Sequence, residues 1–114
     1  MPSDKTDRFL ITSDHNVRLA HRFVEDLSFE EFAADERTLY AVTRCLEIIS
    51  EASRGLPAAT KGRYPEVPWR QIAAAGNIYR HEYEDVSPLI LWDTVRLHLD
   101  QLAAEVKAEL VRKA

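Results

Sequence analysis

The segment Gly76-Asn77-Ile78-Tyr79-Arg80-His81-Glu82-Tyr83 gathers an imidazole, a guanidinium and two phenols within five residues. Histidine is the side chain whose ordinary pKa suits proton transfer near neutral pH. Arginine carries a permanent charge on a planar fork that matches phosphate oxygens. Together they supply what cleavage of a phosphodiester without a metal ion requires: a group that moves a proton and a fixed positive charge beside the phosphate. A simpler role fits the same residues, because Arg and His near a helix C-terminus complement its macrodipole. The residue types alone leave both open.

The charge around this cluster is unevenly distributed. Between Arg54 and His81 stand five cations (Arg54, Lys61, Arg63, Arg70 and Arg80) and one acid, Glu66, a net of +4. The whole chain is −4, so everything outside the window sums to −8. One basic stretch in an acidic chain points to a local anion site rather than a general affinity for polyanions. Arg54, Lys61, Arg63 and Arg70 are its candidate nucleic-acid contacts, and binding through them would be focused and sensitive to salt. A solvated basic loop would have the same composition.

The elements that must position these residues are helical. Gly and Pro are absent between Ser3 and Arg54, whereas Gly55, Pro57, Gly62, Pro65 and Pro68 crowd into fourteen positions and mark a long loop. Before it, Leu10, Val17, Leu19, Ala20, Phe23 and Val24 recur with helical spacing from about Asp7 to Asp26. Ser28 with Glu31 forms a capping-box pattern for a short turn through Phe32. Asp35 then caps a long helix bearing Leu39, Val42, Leu46, Ile49 and Ala52, which Gly55 and Pro57 stop. After the loop, Pro68 opens the helix that carries the cluster, on which Tyr79 should face the bundle. Ser87-Pro88 opens the last helix, with a seam of Trp92, Val95, Leu99, Leu102, Val106 and Leu110. No segment alternates like a strand, so the spacing predicts an all-α bundle of four or five helices. Leu89, Ile90 and Leu91 join Trp92 without a polar break. Either the bundle wraps that segment or a second protomer does, and two-fold dimers are the commonest oligomers.

Size and composition narrow the class. A chain of 114 residues, 46 % hydrophobic and 30 % charged, reads as a single globular domain over 1–114. No apolar run reaches the roughly 20 residues of a membrane span, and the N-terminus lacks the apolar core of a signal peptide, so a cytoplasmic location without membrane association is expected. Cys45 is the single cysteine and lies on the apolar stripe of its helix, as a packed thiol would. His81, Glu82 and Asp85 are metal-ligand types, but the run ends on Asp and a helix stop follows at Ser87-Pro88. No metal is expected there, His15, His21 and His98 lack ligand spacing, and the chain has no Gly-rich phosphate loop, so no cofactor is implied.

Three stretches together resemble the HEPN superfamily, and specifically the HepT-type toxins of prokaryotic toxin–antitoxin pairs. EFAADERTLYAVTRCLEIISEASRGLP is similar to the family's second helix, through Ile49-Ser50-Glu51-Ala52. RYPEVPWRQIA resembles its loop-to-helix junction around Pro68, Trp69 and Arg70, and RHEYEDVSPLILWDTVRLHLDQL its His-x-Tyr segment and final helix. The family's signature is an Arg, four to six residues, then His, often with Tyr two positions on. His81 and Tyr83 match the second half. Where the Arg usually stands this chain has Gly76, followed by a fitting Asn77, and Arg80 one turn later could reach back toward the vacated position.

The resemblance implies a metal-independent endoribonuclease that works as a homodimer, with the segment from Gly76 to Tyr83 and the basic residues lining a cleft. His81 would act as acid or base, Arg80 would stand in for the missing Arg, and Asn77 would bind the phosphate or orient the ring. Arg54, Lys61, Arg63 and Arg70 would contact the RNA. The partner implied is a minimal nucleotidyltransferase antitoxin that transfers AMP to Tyr83, adding negative charge beside the basic site. Gly76 keeps a second reading open: a catalytically degenerate HEPN module that binds this partner or a nucleotide.

Overall fold

The helical spacing is realised in a computed structural model that describes residues 2–81 and 87–113, with the backbone alone for 2–4, 78, 80 and 81. The elements are α1 (Pro2–Val24), α2 (Phe29–Ala34), α3 (Glu36–Arg54), α4 (Ala58–Gly62), α5 (Trp69–His81), α6 (Pro88–Asp93), a π-helical turn (Thr94–His98) and α7 (Leu99–Lys113). No strand occurs among the described residues, and the architecture is an all-α bundle. None of its described helices is long and apolar enough to cross a membrane.

The caps act where the sequence places them. Ser28 Oγ accepts the Glu31 N–H at 3.1 Å while Glu31 accepts the Ser28 N–H at 2.9 Å, so both halves of the capping box are made. Asp35 takes the Arg37 N–H and the Thr38 hydroxyl, turning the chain directly from α2 into α3. Ser87 Oγ accepts the Ile90 N–H at 3.2 Å, and Pro88 fills the first turn of α6, where its missing N–H costs nothing. Helix α1 begins earlier than the periodicity suggests, at Pro2 rather than near Asp7.

Two elements differ from expectation. The Gly/Pro-rich stretch is not a continuous loop but contains α4, whose ends Pro57 and Gly62 define. It is held inward by buried Leu56, Thr60 and Val67 and by Trp69, whose indole N–H is shared between the Lys61 and Tyr64 carbonyls at 3.2 and 3.1 Å. The last helix is interrupted after one and a half turns by the π-helical turn, in which the Leu99 N–H reaches the Thr94 carbonyl, five residues back.

Helix α3 lies between α1 and α5, and α7 closes against α1. The core runs through Leu10, Val17 and Val24 of α1, Val42, Leu46 and Ile49 of α3, and Leu99, Leu102 and Val106 of α7. Phe32 is fully buried against Trp92, with ring centres 5.3 Å apart, and its burial contributes about 1.5–3 kcal/mol. Arg96 lies over the Trp92 ring at 4.4 Å and donates to the Val24 carbonyl at 3.0 Å, tying the last helix to the end of α1. Cys45 is buried, and burial pushes its thiol pKa up, so it is packing material rather than a nucleophile.

Gly55, which ends α3, is needed for space and not for its backbone angles, since its φ is −81°. A methyl group there would overlap the Phe9 ring of α1. Gly55→Ala should therefore lower stability in urea unfolding, because overpacking costs about 1–3 kcal/mol and outweighs the roughly 0.4–1 kcal/mol gained from a stiffer unfolded chain. In a Phe9→Ala background the same substitution should become neutral or stabilising. Equal effects in both backgrounds would show that the ring does not set the cost.

Candidate functional site

Helix α5 presents two different faces. Ile72, Ala75, Gly76 and Tyr79 turn inward, Gly76 and Tyr79 buried, whereas Arg70, Asn77 and the intervening Ala74 are exposed. Position 81 lies one turn after Asn77, and position 70 two turns before it, so the three share a face by helical geometry. Burial raises the Tyr79 pKa and keeps the phenol neutral, in keeping with a bundle-facing residue. It lines a small, largely apolar cavity of about 60 Å³ with Leu46, Ile49, Ile72, Thr94 and Leu102.

The rotation of α5 is set by one hydroxyl. Ser50 of α3 is 2 % exposed; its Oγ donates to the Ala73 carbonyl at 3.0 Å and accepts the Gly76 N–H at 3.1 Å. The small residues Ser50, Ala73 and Gly76 allow the two backbones to approach this closely. The turn at Gly76 is thus covered by α3. Arg54, one turn after Ser50, brings a guanidinium to the same stretch of α5. Its Nε and Nη2 donate to the Ala73 carbonyl at 3.2 and 2.6 Å, and Nη2 also donates to Asn77 Oδ1 at 3.3 Å.

The other candidates are distributed around this centre. Asn77 and Arg54 meet. Arg70 is exposed in the first turn of α5, and Lys61 lies in α4 near the start of α5. The backbone of Arg80 and His81 belongs to the last turn of α5, while their side chains and Tyr83 lie outside the described residues. Arg63 is engaged elsewhere: its guanidinium forms a two-pronged pair with Glu109 of α7, Nε to Oε1 at 3.1 Å and Nη2 to Oε2.

Glu109 was invisible to the apolar-seam pattern. It is 1 % exposed, and it also accepts the Tyr64 hydroxyl at 2.9 Å. The Arg63 guanidinium holds its carboxyl below the usual carboxylate range, with Tyr64 assisting and burial opposing. Tyr64 itself is raised, first by loss of solvent and then by the carboxylate it bonds. Ser50 and Arg54 carried a weak signal in the sequence, being four apart on one helix face, and nothing marked Ala73 as their target.

The fold and the exposed face of α5 define the class as an all-α bundle whose α5 carries an exposed Asn77 held by an arginine from α3. Residues 13–109 match the family described as Ribonuclease HepT-like, and the chain belongs to that family. It is 38 % identical over 97 residues to "Probable ribonuclease HepT" of Thermococcus cleftensis, covering 85 % of this chain and 86 % of that one. It is 37 % identical over 90 residues to "Putative RNase TTE0752" of Caldanaerobacter subterraneus subsp. tengcongensis, covering 79 % and 80 %. "Putative RNase MJ0127" of Methanocaldococcus jannaschii is 36 % identical over 95 residues, covering 83 % and 78 %. No solved structure matches.

The Glu109 pair carries a pH dependence. Its folded pKa lies below the unfolded one, so its stabilisation is complete above the ordinary carboxylate range and is lost as pH falls through the lowered folded value. Glu109→Gln should lower the urea midpoint at neutral pH and flatten its decline in acid. A variant that declines as steeply as the wild type would assign acid sensitivity to other carboxylates.

Proposed function

We propose that this protein is a metal-independent endoribonuclease whose active face is the exposed side of α5, with Asn77, Arg80 and His81 as its reactive residues. The observation that carries the reading is the exposed Asn77 held by an arginine one turn before position 81, in a chain of the Ribonuclease HepT-like family. RNA brings its own nucleophile. The 2′-oxygen attacks phosphorus and its proton passes to a base. The bond to the 5′-oxygen breaks, and that oxygen takes a proton from an acid, leaving a 2′,3′-cyclic phosphate and a 5′-hydroxyl. His81 serves as base or acid, a guanidinium balances the growing phosphate charge, and Asn77 hydrogen-bonds the phosphate. Lys61, Arg63 and Arg70 extend the basic surface to the RNA chain, Arg63 only to the extent that its pair with Glu109 leaves it donors.

A homodimer belongs to this reading, since two copies of His81 supply both base and acid. Leu89 and Ile90, 52 % and 55 % exposed just beyond the site segment, support it, because the bundle does not wrap them. Gly76 supports the alternative of a degenerate binding module: its turn is buried against Ser50 and bears no guanidinium of its own.

Cleavage of single-stranded RNA in the presence of EDTA tests the choice. The wild type should cut, and His81→Ala should lose activity by at least the 10²–10⁴-fold typical of a removed acid–base group. A folded wild type that binds RNA without cutting it would favour the binding module.

Regulation is proposed through Tyr83. Its phenolic oxygen attacks the α-phosphorus of ATP on a minimal nucleotidyltransferase partner, the phenolic proton goes to a base, and pyrophosphate leaves. The attached AMP then occupies the basic face intramolecularly, at an effective concentration on the order of millimolar. Incubation with such a partner, ATP and magnesium should add AMP mass that Tyr83→Phe abolishes and Tyr79→Phe spares. Modification persisting in Tyr83→Phe would reject the assignment.

A further inference from the structure

We infer that Arg54, reaching across from α3, is the guanidinium that binds the scissile phosphate, and that it forms with Asn77 a two-donor anion cradle one turn before His81. The inference rests on the ribonuclease reading for its substrate, and on geometry for its residues.

The hydrogen-bond inventory forces the arrangement. A guanidinium only donates, so the Asn77 atom it meets at 3.3 Å must be the carbonyl oxygen Oδ1. The amide is thereby oriented with its Nδ2 hydrogens directed away from Arg54. Among the described residues, Nδ2 of Asn77 and Nη1 of Arg54 donate to nothing, and both side chains are exposed. Two donor groups, one of them charged, thus lie on neighbouring exposed side chains, one turn before position 81.

The position of the guanidinium is firm. Its Nε and Nη2 both grip the Ala73 carbonyl, at 3.2 and 2.6 Å, and Nη2 also holds Asn77, which leaves Nη1 with little rotational freedom. An arginine held on one edge loses less entropy on binding an anion at the other than a free surface arginine does. The basic window has a net charge of +4, and among its described side chains Arg54 is the cation that meets Asn77. Arg63 is already paired to Glu109. A tether between helices would explain the grip on Ala73. It does not require the additional contact to Asn77 or an exposed pair of unused donors.

The test uses the full chain, a mixed-sequence single-stranded RNA in EDTA, and the same RNA carrying 2′-O-methyl groups as an uncleavable probe. Arg54→Lys keeps the positive charge but not the planar fork that holds Ala73 while leaving Nη1 over, and should lose about 10²–10³-fold in kcat, the effect of removing one transition-state donor. Arg54→Ala should regain part of its activity with free guanidinium at non-denaturing concentration, whereas His81→Ala should regain none. For the uncleavable probe, the slope of log Kd against log salt should fall by about 0.7 in Arg54→Ala, the value for one phosphate contact on a single strand. Asn77→Ala, exposed and outside the core, should weaken probe binding in the same direction should Arg54→Ala fail to fold. Wild-type cleavage and salt slope in both Arg54 variants would overturn the inference while leaving the ribonuclease reading intact. Absence of cleavage by the wild type, with a slope that still depends on Arg54, would overturn the ribonuclease reading and sustain the phosphate contact. Neither cleavage nor probe binding by the wild type would overturn both.

Discussion

The Ser50 hydroxyl, enclosed between α3 and α5, gives its hydrogen to the Ala73 carbonyl and receives the Gly76 N–H, and the site is arranged around that exchange. Both backbone groups belong to the middle of α5, so the bond fixes the rotation of that helix as well as its distance from α3. With the rotation fixed, Ile72 and Tyr79 enter the core and Asn77 stands in solvent. Arg54 follows Ser50 by one turn and reaches the same carbonyl, so packing and charge placement share one anchor. A buried hydroxyl with both its donor and acceptor capacity used is a specific solution, since either half left unmade would cost about 1–3 kcal/mol.

Much of the fold was legible because its signals are local. Ser28, Asp35 and Ser87 cap helices through side chains that reach only two or three residues along the chain, and such contacts can be read from spacing. The inward orientation of Tyr79 and Cys45 followed from helical periodicity. The failures are long-range. Glu109 lies where the seam of Leu102 and Val106 continues, and its burial depends on an arginine 46 positions away, so the pattern favoured its neighbour Leu110, which is half-buried. Helix α4 was hidden by the glycines and prolines that bound it, because those residues mark breaks whether or not a turn of helix lies between them.

The candidate site divides the same way. The reactive types at Asn77, Arg80, His81 and Tyr83 are visible in sequence, and the four-residue spacing of positions 77 and 81 along α5 puts those two on one face. That Arg54 meets Asn77 across 23 positions, and that Gly76 is closed by α3, depend on how two helices pack. Arg54 and Arg63 have the same charge in a composition count. One ends against a side-chain amide with its Nη1 unused among the described residues, the other on a buried carboxylate, and their chemistry differs accordingly.

The π-helical turn at Thr94–His98 bears on how such a chain can change in length. Each residue added to or removed from an α-helix rotates everything beyond it by about 100°. The wide turn absorbs one extra residue and brings Leu99, Leu102 and Val106 back onto the line begun by Leu91 and Val95. Deleting a residue here would convert the turn to ordinary α-helix and leave α7 in register, with Glu109 still facing Arg63. A single-residue deletion between Thr94 and His98 is therefore a change of length that the packing can absorb, whereas the same deletion within α7 ahead of Glu109 would turn its carboxylate away from Arg63 and loosen the Pro-rich segment ahead of α5.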